Sequence, residues 1–401
     1  MNELASFYDN EAAMEPLMPT DQTGALKEVA ARLLRASAKL AGALHPVTRR
    51  QVAELVRHMN SYYSNLIEGH HTHPMDIERA LRSDFSKEPA KRALQLESAA
   101  HIEVEAIMET RLPDMESVNS DAFIQMLHRE FYERMPEEFR IVKSSGAKII
   151  PGEYRKSQVT VGAHIAPDFA ALPRFMRRFS VAYDLTKLDP LERIIAAAAS
   201  HHRFAWIHPF QDGNGRVVRL FSNAYLSKAG IESGGLWTIS RGLARNVQTY
   251  REMLARADYP RQGGLDGRGN LSNRELAGFC TFFLSTALDQ VEFMASLLEL
   301  DAMQDRIMRY ASHMRTMEDA PVGLGALMRE AFMRGSVPRG DAQRLLEMPE
   351  RTARRHVSAC IKKGWIASES SLAPLTLNYS IGKVGYLFPK LYPENVELSE
   401  P

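Results

Sequence analysis

Apolar residues recur at helical spacing through most of this chain, and that period decides its class. Leu33, Leu34, Leu40, Val52, Leu55, Val56, Met59, Tyr63 and Ile67 mark a helical stretch from about 24 to 68. Further helices are expected at Met75–Leu81, Glu88–Glu109, Asp121–Glu133 and Asp168–Tyr183. Asp189-Pro190-Leu191-Glu192 has the chemistry of a helix start: a capping carboxylate, a proline in the first turn, and an acid placed to reach back. The helix it opens is apolar on most sides (Ile194, Ile195, Ala196–Ala199), which predicts a buried, central element ending before His208-Pro209. Another helix is expected after Gly215, closing near Gly230. Two more follow at Arg245–Asp258 and Asn273–Met294, the second continuing to about 315, with a glycine-rich loop at Gly263–Gly269 between them.

One stretch breaks the period. Ala147–Val161 contains Pro151-Gly152 and a β-rich run, with Gly162 beyond it, and reads as a hairpin or flap. From about 321 a separate unit is expected: helices at Leu324–Met333, Asp341–Leu346 and Glu350–Lys363, then Trp365-Ile366 and Leu375–Tyr379 as a small β wing. Three helices and a wing describe a winged helix-turn-helix. The expected fold is therefore mainly α, with a helical core, a β-hairpin flap and a winged helix-turn-helix domain. The expected divisions are 1–130 (N-terminal helical region), 131–318 (core) and 319–401 (winged helix-like).

Composition bounds the partners. At 401 residues the chain is long enough for two or three domains, and its net charge of +1 gives no global field for nucleic acid or anionic lipid. The two cysteines, Cys280 and Cys360, have no nearby partner, which excludes a disulfide framework and a zinc-thiolate site and fits a reducing compartment. The first residues carry acids and no apolar core, unlike a signal peptide. No stretch is long and apolar enough to span a bilayer. A cytoplasmic location and no membrane partner are the expectation.

The segment His208-Pro-Phe-Gln-Asp-Gly-Asn-Gly-Arg-Val-Val-Arg219 gathers the chemistry. Gly213-Asn214-Gly215 lets consecutive N–H groups turn toward one point, where the following helix start adds free donors and the positive end of its dipole. That is an anion cradle suited to phosphates. Arg216 and Arg219 lie on adjacent positions of the new helix and can add bidentate grips. Asp212, at the lip, is a lone carboxylate of the kind that holds Mg²⁺ beside phosphates. His208 is the titratable member, able as a neutral imidazole to accept a proton from an attacking hydroxyl. Each fragment alone is ordinary: His-Pro is usually a turn, and Gly-Asn-Gly a common loop. The joint string is far harder to obtain by chance.

HPFQDGNGRVVR resembles the Fic family signature HxFx(D/E)GNGRxxR at every specified position, and AWIHPF leads into it in the family's manner. The resemblance extends over roughly 145–300. Fic proteins are mostly helical, and most transfer AMP from ATP to Ser, Thr or Tyr hydroxyls of proteins. The resemblance implies His208 as general base and Asp212 as the Mg²⁺ ligand. It implies Gly213, Asn214 and Gly215 as the phosphate cradle, with Asn214 also reaching phosphate or metal, and Arg216 and Arg219 on the polyphosphate tail. Both arginines are present, which argues for ATP as the substrate. PGEYRKSQVTV is similar to the Fic flap, placing Gly152, Tyr154, Arg155, Lys156 and Val159 where an extended edge adds to a target segment. The alternative is an ordinary structural hairpin, preferred for a single residue such as Lys156. Tyr250 and Asp258 are carried over as adenine contacts.

Ser64-Asn-Leu-Ile-Glu68-Gly69 is the second informative string. Ser64 and Glu68 are four apart and share a helix face. Taken alone, a glutamate before a glycine C-cap is commonplace. SNLIEG fits, however, the [S/T]xxxE[G/N] pattern of Fic proteins with an inhibitory helix, here about 49–68. The resemblance implies that Glu68 contacts Arg219 and competes with the γ-phosphate; a variant is that Glu68 positions a water for AMP removal. His70, His71 and His73 complete no metal-ligand spacing and read as a polar loop. His201 and His202 read as packing residues.

Three hypotheses stay open: a protein adenylyltransferase restrained by Glu68; a transcription regulator acting through the C-terminal unit; and the same site working on another donor or removing AMP. For the C-terminal unit, Arg351, Arg354, Arg355, Lys362 and Lys363 without an acid among 351–363 suggest DNA binding through residues 321–380; a protein-docking module competes. The expected partners are ATP and a hydroxyl-bearing protein target, itself included. A homodimer is the oligomeric form that the resemblance suggests.

Overall fold

The structure is a computed structural model that describes residues 8–20, 23–115, 117–142, 145–231, 234–394 and 396. The irregular start read over 1–20 lies outside the described residues up to 7. From 8 onward it holds one 3-10 turn, Glu11–Met14, whose Met14 is fully buried.

The described residues are mainly helical, as the period predicts. The helices are α1 (Thr23–Ala41), α2 (Pro46–Ile67), α3 (Pro74–Leu81), α4 (Pro89–Arg111) and α5 (Asp121–Glu133), then α6 (Leu172–Ala182), α7 (Pro190–Ile207) and α8 (Asn214–Lys228). They continue with α9 (Ile239–Arg245), α10 (Val247–Ala257), α11 (Asn273–Leu297), α12 (Leu300–Glu318), α13 (Leu324–Arg334), α14 (Ala342–Leu345), α15 (Glu350–Lys362) and α16 (Ile381–Leu387). Two antiparallel hairpins complete the set, β1 (Thr160–Val161) with β2 (His164–Ile165) and β3 (Ile366–Ala367) with β4 (Thr376–Leu377).

The stretch read as helical from 24 to 68 is two helices. The chain breaks at 42–45, and His45 Nδ1 accepts from Val47 N–H to start α2, with Pro46 in the first turn. The helix expected at Arg245–Asp258 is α10, which starts at Val247; α9, ending at Arg245, is an additional short helix before it. The long helix expected to reach 315 breaks at Leu298–Glu299, where the Glu299 carboxylate accepts from Ala302 N–H at 2.8 Å and opens α12.

α7 is the axis of the molecule. Its start is the expected capping box: Asp189 accepts from Glu192 N–H at 2.8 Å, and Glu192 accepts from Asp189 N–H at 3.1 Å. Ile194 through Ala199 are buried, and the helix packs against α1, α6, α8 and α11. Burial on every side explains why its sequence shows no polar face.

The flap differs from its sequence reading. The extended pairing lies at Thr160–Ile165, with its turn at Gly162-Ala163, and residues 149–158 form no strand. Gly152 has φ +78° and donates to His128 Nδ1 at 2.9 Å; a Cβ there would meet the Arg129 side chain. Tyr154 donates to Asp121 at 3.0 Å and Lys156 pairs with Glu153. The backbone N–H groups of Gly152 and Arg155 go to His128 Nδ1 and Pro209 O, so they are not offered to a neighbouring strand.

The C-terminal elements follow the expected order: α13, α14 and α15, then the β3–β4 hairpin, with Val337 bridging Leu375. They are joined to the body through α2. Thr48 donates to the Phe332 carbonyl at 2.7 Å, Tyr63 donates to Leu391 O at 3.0 Å, and Tyr392 lies against Tyr62 and Tyr63. Arg241 on α9 donates to Lys390 O at 2.8 Å. α2 is thus held near both ends by residues beyond 321.

Candidate functional site

α7 ends on His208, whose backbone turns left-handed (φ +50°) while its N–H still bonds Phe204 O at 3.0 Å. That turn takes the chain off the helix axis. His208 Nδ1 lies 3.3 Å from Ala205 O, so it carries the proton and donates, leaving the lone pair on Nε2. Burial pushes the imidazole down to about 4, so it stays neutral across the physiological range. A neutral imidazole with a free Nε2 is what a general base requires.

The turn is held by Arg155, only 3% exposed. Its Nε donates to His208 O at 2.9 Å, its Nη1 to Ser157 O at 3.1 Å and its backbone N–H to Pro209 O at 2.9 Å. Arg155 was expected on an edge facing a target segment. Its donors are spent on the His208-Pro209 turn and on Ser157 and Pro167 carbonyls instead, and it serves as a bracket. The exposed flap backbone is Thr160–Ala163; Val159, also expected on the flap, precedes β1 and accepts from Ala166 N–H.

The glycines stand at the start of α8, which begins at Asn214, two residues earlier than read. Gly213 has φ +78°, and a Cβ there would lie 2.8 Å from the Tyr132 ring. Only glycine meets both demands. Asn214 Oδ1 accepts from Phe210 N–H at 2.9 Å and its Nδ2 donates to Phe210 O at 2.8 Å. Both ends of the amide close the loop, so Asn214 shapes the cradle here rather than offering a free side chain to phosphate or metal. The first N–H groups of α8 have no helical acceptor and carry the positive end of the dipole.

The two arginines part company. Arg219, 1% exposed, lines the cavity. Its Nε donates to Ser64 Oγ at 2.9 Å, and its Nη2 to Ser64 O at 3.0 Å and Glu68 Oε1 at 2.7 Å. The contact implied by SNLIEG is therefore present, and Glu68 sits at the C-cap of α2. Burial works against the charge on Glu68, but Arg219 and Arg216 outweigh it and hold the carboxyl below its usual range. A Cβ on Gly215 would strike that carboxylate; Glu68 lies directly over the cradle. Arg216, expected beside it on the polyphosphate, faces away. It pairs with Glu97 on α4, donates to Tyr132 OH at 3.4 Å and lies 5.0 Å over the Phe131 ring.

A cavity of about 910 Å³ opens on this cluster, walled by Glu68, His208, Asn214, Gly215 and Arg219 on one side and Tyr250, Arg251, Leu254 and Asp258 on the other. Residues 161–165 of the hairpin form its rim. Ser222 donates to Val218 O at 2.7 Å, so it accepts from His201 Nδ1 at 2.7 Å, and His201 Nε2 in turn accepts from Tyr250 OH at 2.8 Å. Tyr250 therefore presents its ring to the cavity with its proton already given. Asp258 accepts from His202 Nε2 at 3.1 Å and stands 3.6 Å from His164 Nδ1 on β2. Both carried-over residues reach the cavity wall, where His202 joins them, and His201 acts behind it.

Asp212 lies at the lip, one oxygen accepting Gly213 N–H at 2.7 Å. Among the described residues it forms no ion pair with a lysine or arginine. Desolvation, and then the Glu68 charge, raise its carboxyl above the usual range. A carboxylate unpaired with lysine or arginine beside a phosphate cradle fits a hard cation.

Sequence reasoning missed Glu97, Arg251 and His164. Glu97 is an acid within the well-buried stretch of α4 from Gln95 to Ile102, and an acid at such a position is its only signal. Arg251, which donates to Ile67 O at 2.8 Å, and His164, which bonds Trp206 O at 2.7 Å, have none.

Comparison with known proteins agrees with this geometry. A model of the Fic/DOC family matches residues 119–226, from just before α5 to the last turns of α8. The protein adenylyltransferase Fic of Nematostella vectensis is 32% identical over 174 residues, 42% of this chain and 37% of that protein. The Drosophila melanogaster protein of the same name is 42% identical over 79 residues, 20% of this chain and 16% of that protein. The chain thus spans little more than a third of the first of these relatives and less of the second. Among solved structures, a Fic family protein from Desulfovibrio desulfuricans G20 aligns over 90% of this chain and 98% of its own, with TM-score 0.53 and 18% identity. A Fic domain containing signaling protein from Bacteroides thetaiotaomicron VPI-5482 aligns over 66% of this chain and 96% of its own, with TM-score 0.51 and 20% identity. At these identities the likeness is one of fold.

Proposed function

We propose that this chain, which belongs through residues 119–226 to the Fic/DOC family, transfers AMP from ATP to a Ser, Thr or Tyr hydroxyl of a protein. The observation that carries the reading is His208: a half-buried, neutral imidazole with Nε2 free, on the wall of a cavity that also holds the α8 start and Arg219. The hydroxyl gives its proton to His208 Nε2 and its oxygen attacks the α-phosphorus. The bond from that phosphorus to the bridging oxygen breaks, and pyrophosphate leaves. Free N–H groups at the α8 start face the charge that builds on the phosphate oxygens, and they are fixed before reaction, so little reorganisation is needed. Mg²⁺, where bound, would be held by Asp212 together with phosphate oxygens and would neutralise charge on the departing pyrophosphate.

Glu68 restrains the site in this reading. It occupies Arg219 and the space over Gly215, where the terminal phosphate would seek the same donors. The test uses Glu68→Gly and Glu68→Gly/His208→Ala with α-labelled and γ-labelled ATP. Transfer of the α label alone, and only with His208 present, is the expected result. Transfer of the γ label would replace this chemistry with phosphoryl transfer.

A second reading, of a DNA partner, has its own observation. Arg351, Arg354, Arg355, Lys362 and Lys363 lie on the exposed face of α15, opposite the buried Ala353, Val357 and Cys360. Glu350 and Glu318 pair with Arg354 and Lys363; the other three have no ion-pair partner among the described residues. A cationic exposed helix suits a major groove. A mobility shift of the full chain with duplex DNA, weakening as salt rises, is expected; no binding at low salt overturns it.

A further inference from the structure

Glu97 touches both halves of the proposed site. Its side chain is 8% exposed, and its carboxylate pairs with Arg216, two residues into α8 from Asn214. The same carboxylate accepts from His70 Nδ1, at 3.0 Å to one oxygen and 2.8 Å to the other. His70 is two residues beyond Glu68, and its backbone N–H bonds Asn65 O at 2.9 Å, which fixes the imidazole to the last turn of α2. His70 lies close enough to act on both Glu68 and Asp212, so the imidazole stands among the carboxylates of the site. One buried acid on α4 thus bridges the first turn of the cradle and the loop that carries the brake.

We infer that Glu97 is a positioning residue: by holding Arg216 and His70 together, it sets the seat from which Glu68 reaches Arg219. Three facts favour this over a purely local ion pair. Arg216 Nε and Nη1 are buried without a hydrogen-bond partner, and Glu97 is the one acid paired with this guanidinium among the described residues. Arg216 does not line the nucleotide cavity whereas Arg219 does, so the Glu97 pair is not merely a substitute for phosphate. Gly69, between Glu68 and His70, has φ +82°, so the chain turns sharply after α2 and the Glu68 carboxylate depends on what anchors the far side of that turn. With the anchor gone, the turn gains freedom and Glu68 spends less time on Arg219. The nucleotide then competes with a weaker rival.

This inference rests on the proposed role of Glu68, and its test separates the two. The full chain carries His70→Ala, which cuts only the arm to the brake, or Glu97→Gln, which cuts both arms, each with Glu68 present and with Glu68→Gly. ATP affinity is read by calorimetry and α-label transfer by kcat and KM. Both variants are expected to tighten ATP severalfold when Glu68 is present, and to leave affinity within about twofold in the Glu68→Gly background. His70→Gln, which retains a donor toward Glu97, is expected to restore the weaker binding. Loss of affinity in both backgrounds, or no change in either, overturns the positioning role. If Glu97→Gln fails to fold, His70→Ala decides alone. The expected ATP pattern without any α-label transfer would support the tie and overturn the transferase reading instead.

Discussion

Replacing Glu68 isolates what the ion pair over the cradle costs the nucleotide. Arg219 is buried, and its bond to Glu68 is a 2.7 Å charge-assisted contact at a side chain 32% exposed. Such bonds contribute about 1.5–3 kcal/mol, and the solvent at Glu68 argues for the lower part, about 1.5–2 kcal/mol. At 1.4 kcal/mol per tenfold, release of that contact should lower the Kd for ATP roughly 10- to 30-fold. The substitution leaves the protein intact because Arg219 keeps its bonds to Ser64 Oγ and Ser64 O. Arg219 loses its one ion-pair partner among the described residues, so part of the gain for the nucleotide is accompanied by a loss of stability in the unliganded protein. Glu68→Gln keeps the shape and removes the charge; Glu68→Gly also clears the space over Gly215. Calorimetric titration with ATP should therefore rank wild type weakest, Glu68→Gln intermediate and Glu68→Gly tightest. Equal affinity across the three would refute the reasoning, because a competitor that can be removed without effect is not competing.

Four further predictions rest on burial and close packing. With His208 held down to about 4, the base is neutral above that value, so α-label transfer by Glu68→Gly should show no His208-linked loss from pH 8 to pH 5; a decline with a midpoint near 6.5 would mean a solvated imidazole. The same shift bears on stability: His58, His128 and His208 are depressed to about 4, 3 and 4, so below their unfolded value near 6.5 the unfolded chain binds protons that the native one refuses. Each should remove about 1.4 kcal/mol per pH unit between 6.5 and its folded value, visible as a steep fall in urea midpoint. Glu105 has the opposite sign: burial raises it to about 8, so its penalty is full above pH 8 and gone below its unfolded value; Glu105→Gln should raise Tm more at pH 8.5 than at pH 6. Gly213→Ala places a Cβ on the Tyr132 ring at φ +78° and should cost at least about 1–2 kcal/mol and abolish transfer even beside Glu68→Gly.

Legibility of this molecule divides by the range of the interaction that decides each feature. The α7 start was readable because capping is settled within four residues, and Asp189 and Glu192 make the bonds their spacing requires. The cradle was readable for the same reason: Gly213 must turn left-handed and α8 must begin just after it. Breaks such as Leu298–Glu299 were not, because an apolar period continues through a gap of two residues and only the Glu299 cap reveals it. The flap misled because β-branched residues favour extension, but Arg155 has a partner on the turn after α7 that no local pattern contains. Arg216 is the sharpest case. Its spacing from Arg219 puts both on one side of α8, and nothing nearby in sequence distinguishes them. What separates them is an acid on α4 and an aromatic ring on α5, 119 and 85 positions away by number, at Glu97 and Phe131. A motif therefore fixes which groups a site owns, while the packing around it decides which of them face the substrate. For this chain the difference is testable: Arg219→Ala should weaken ATP in the Glu68→Gly background, and Arg216→Ala should act chiefly through Glu97 and the loop it holds.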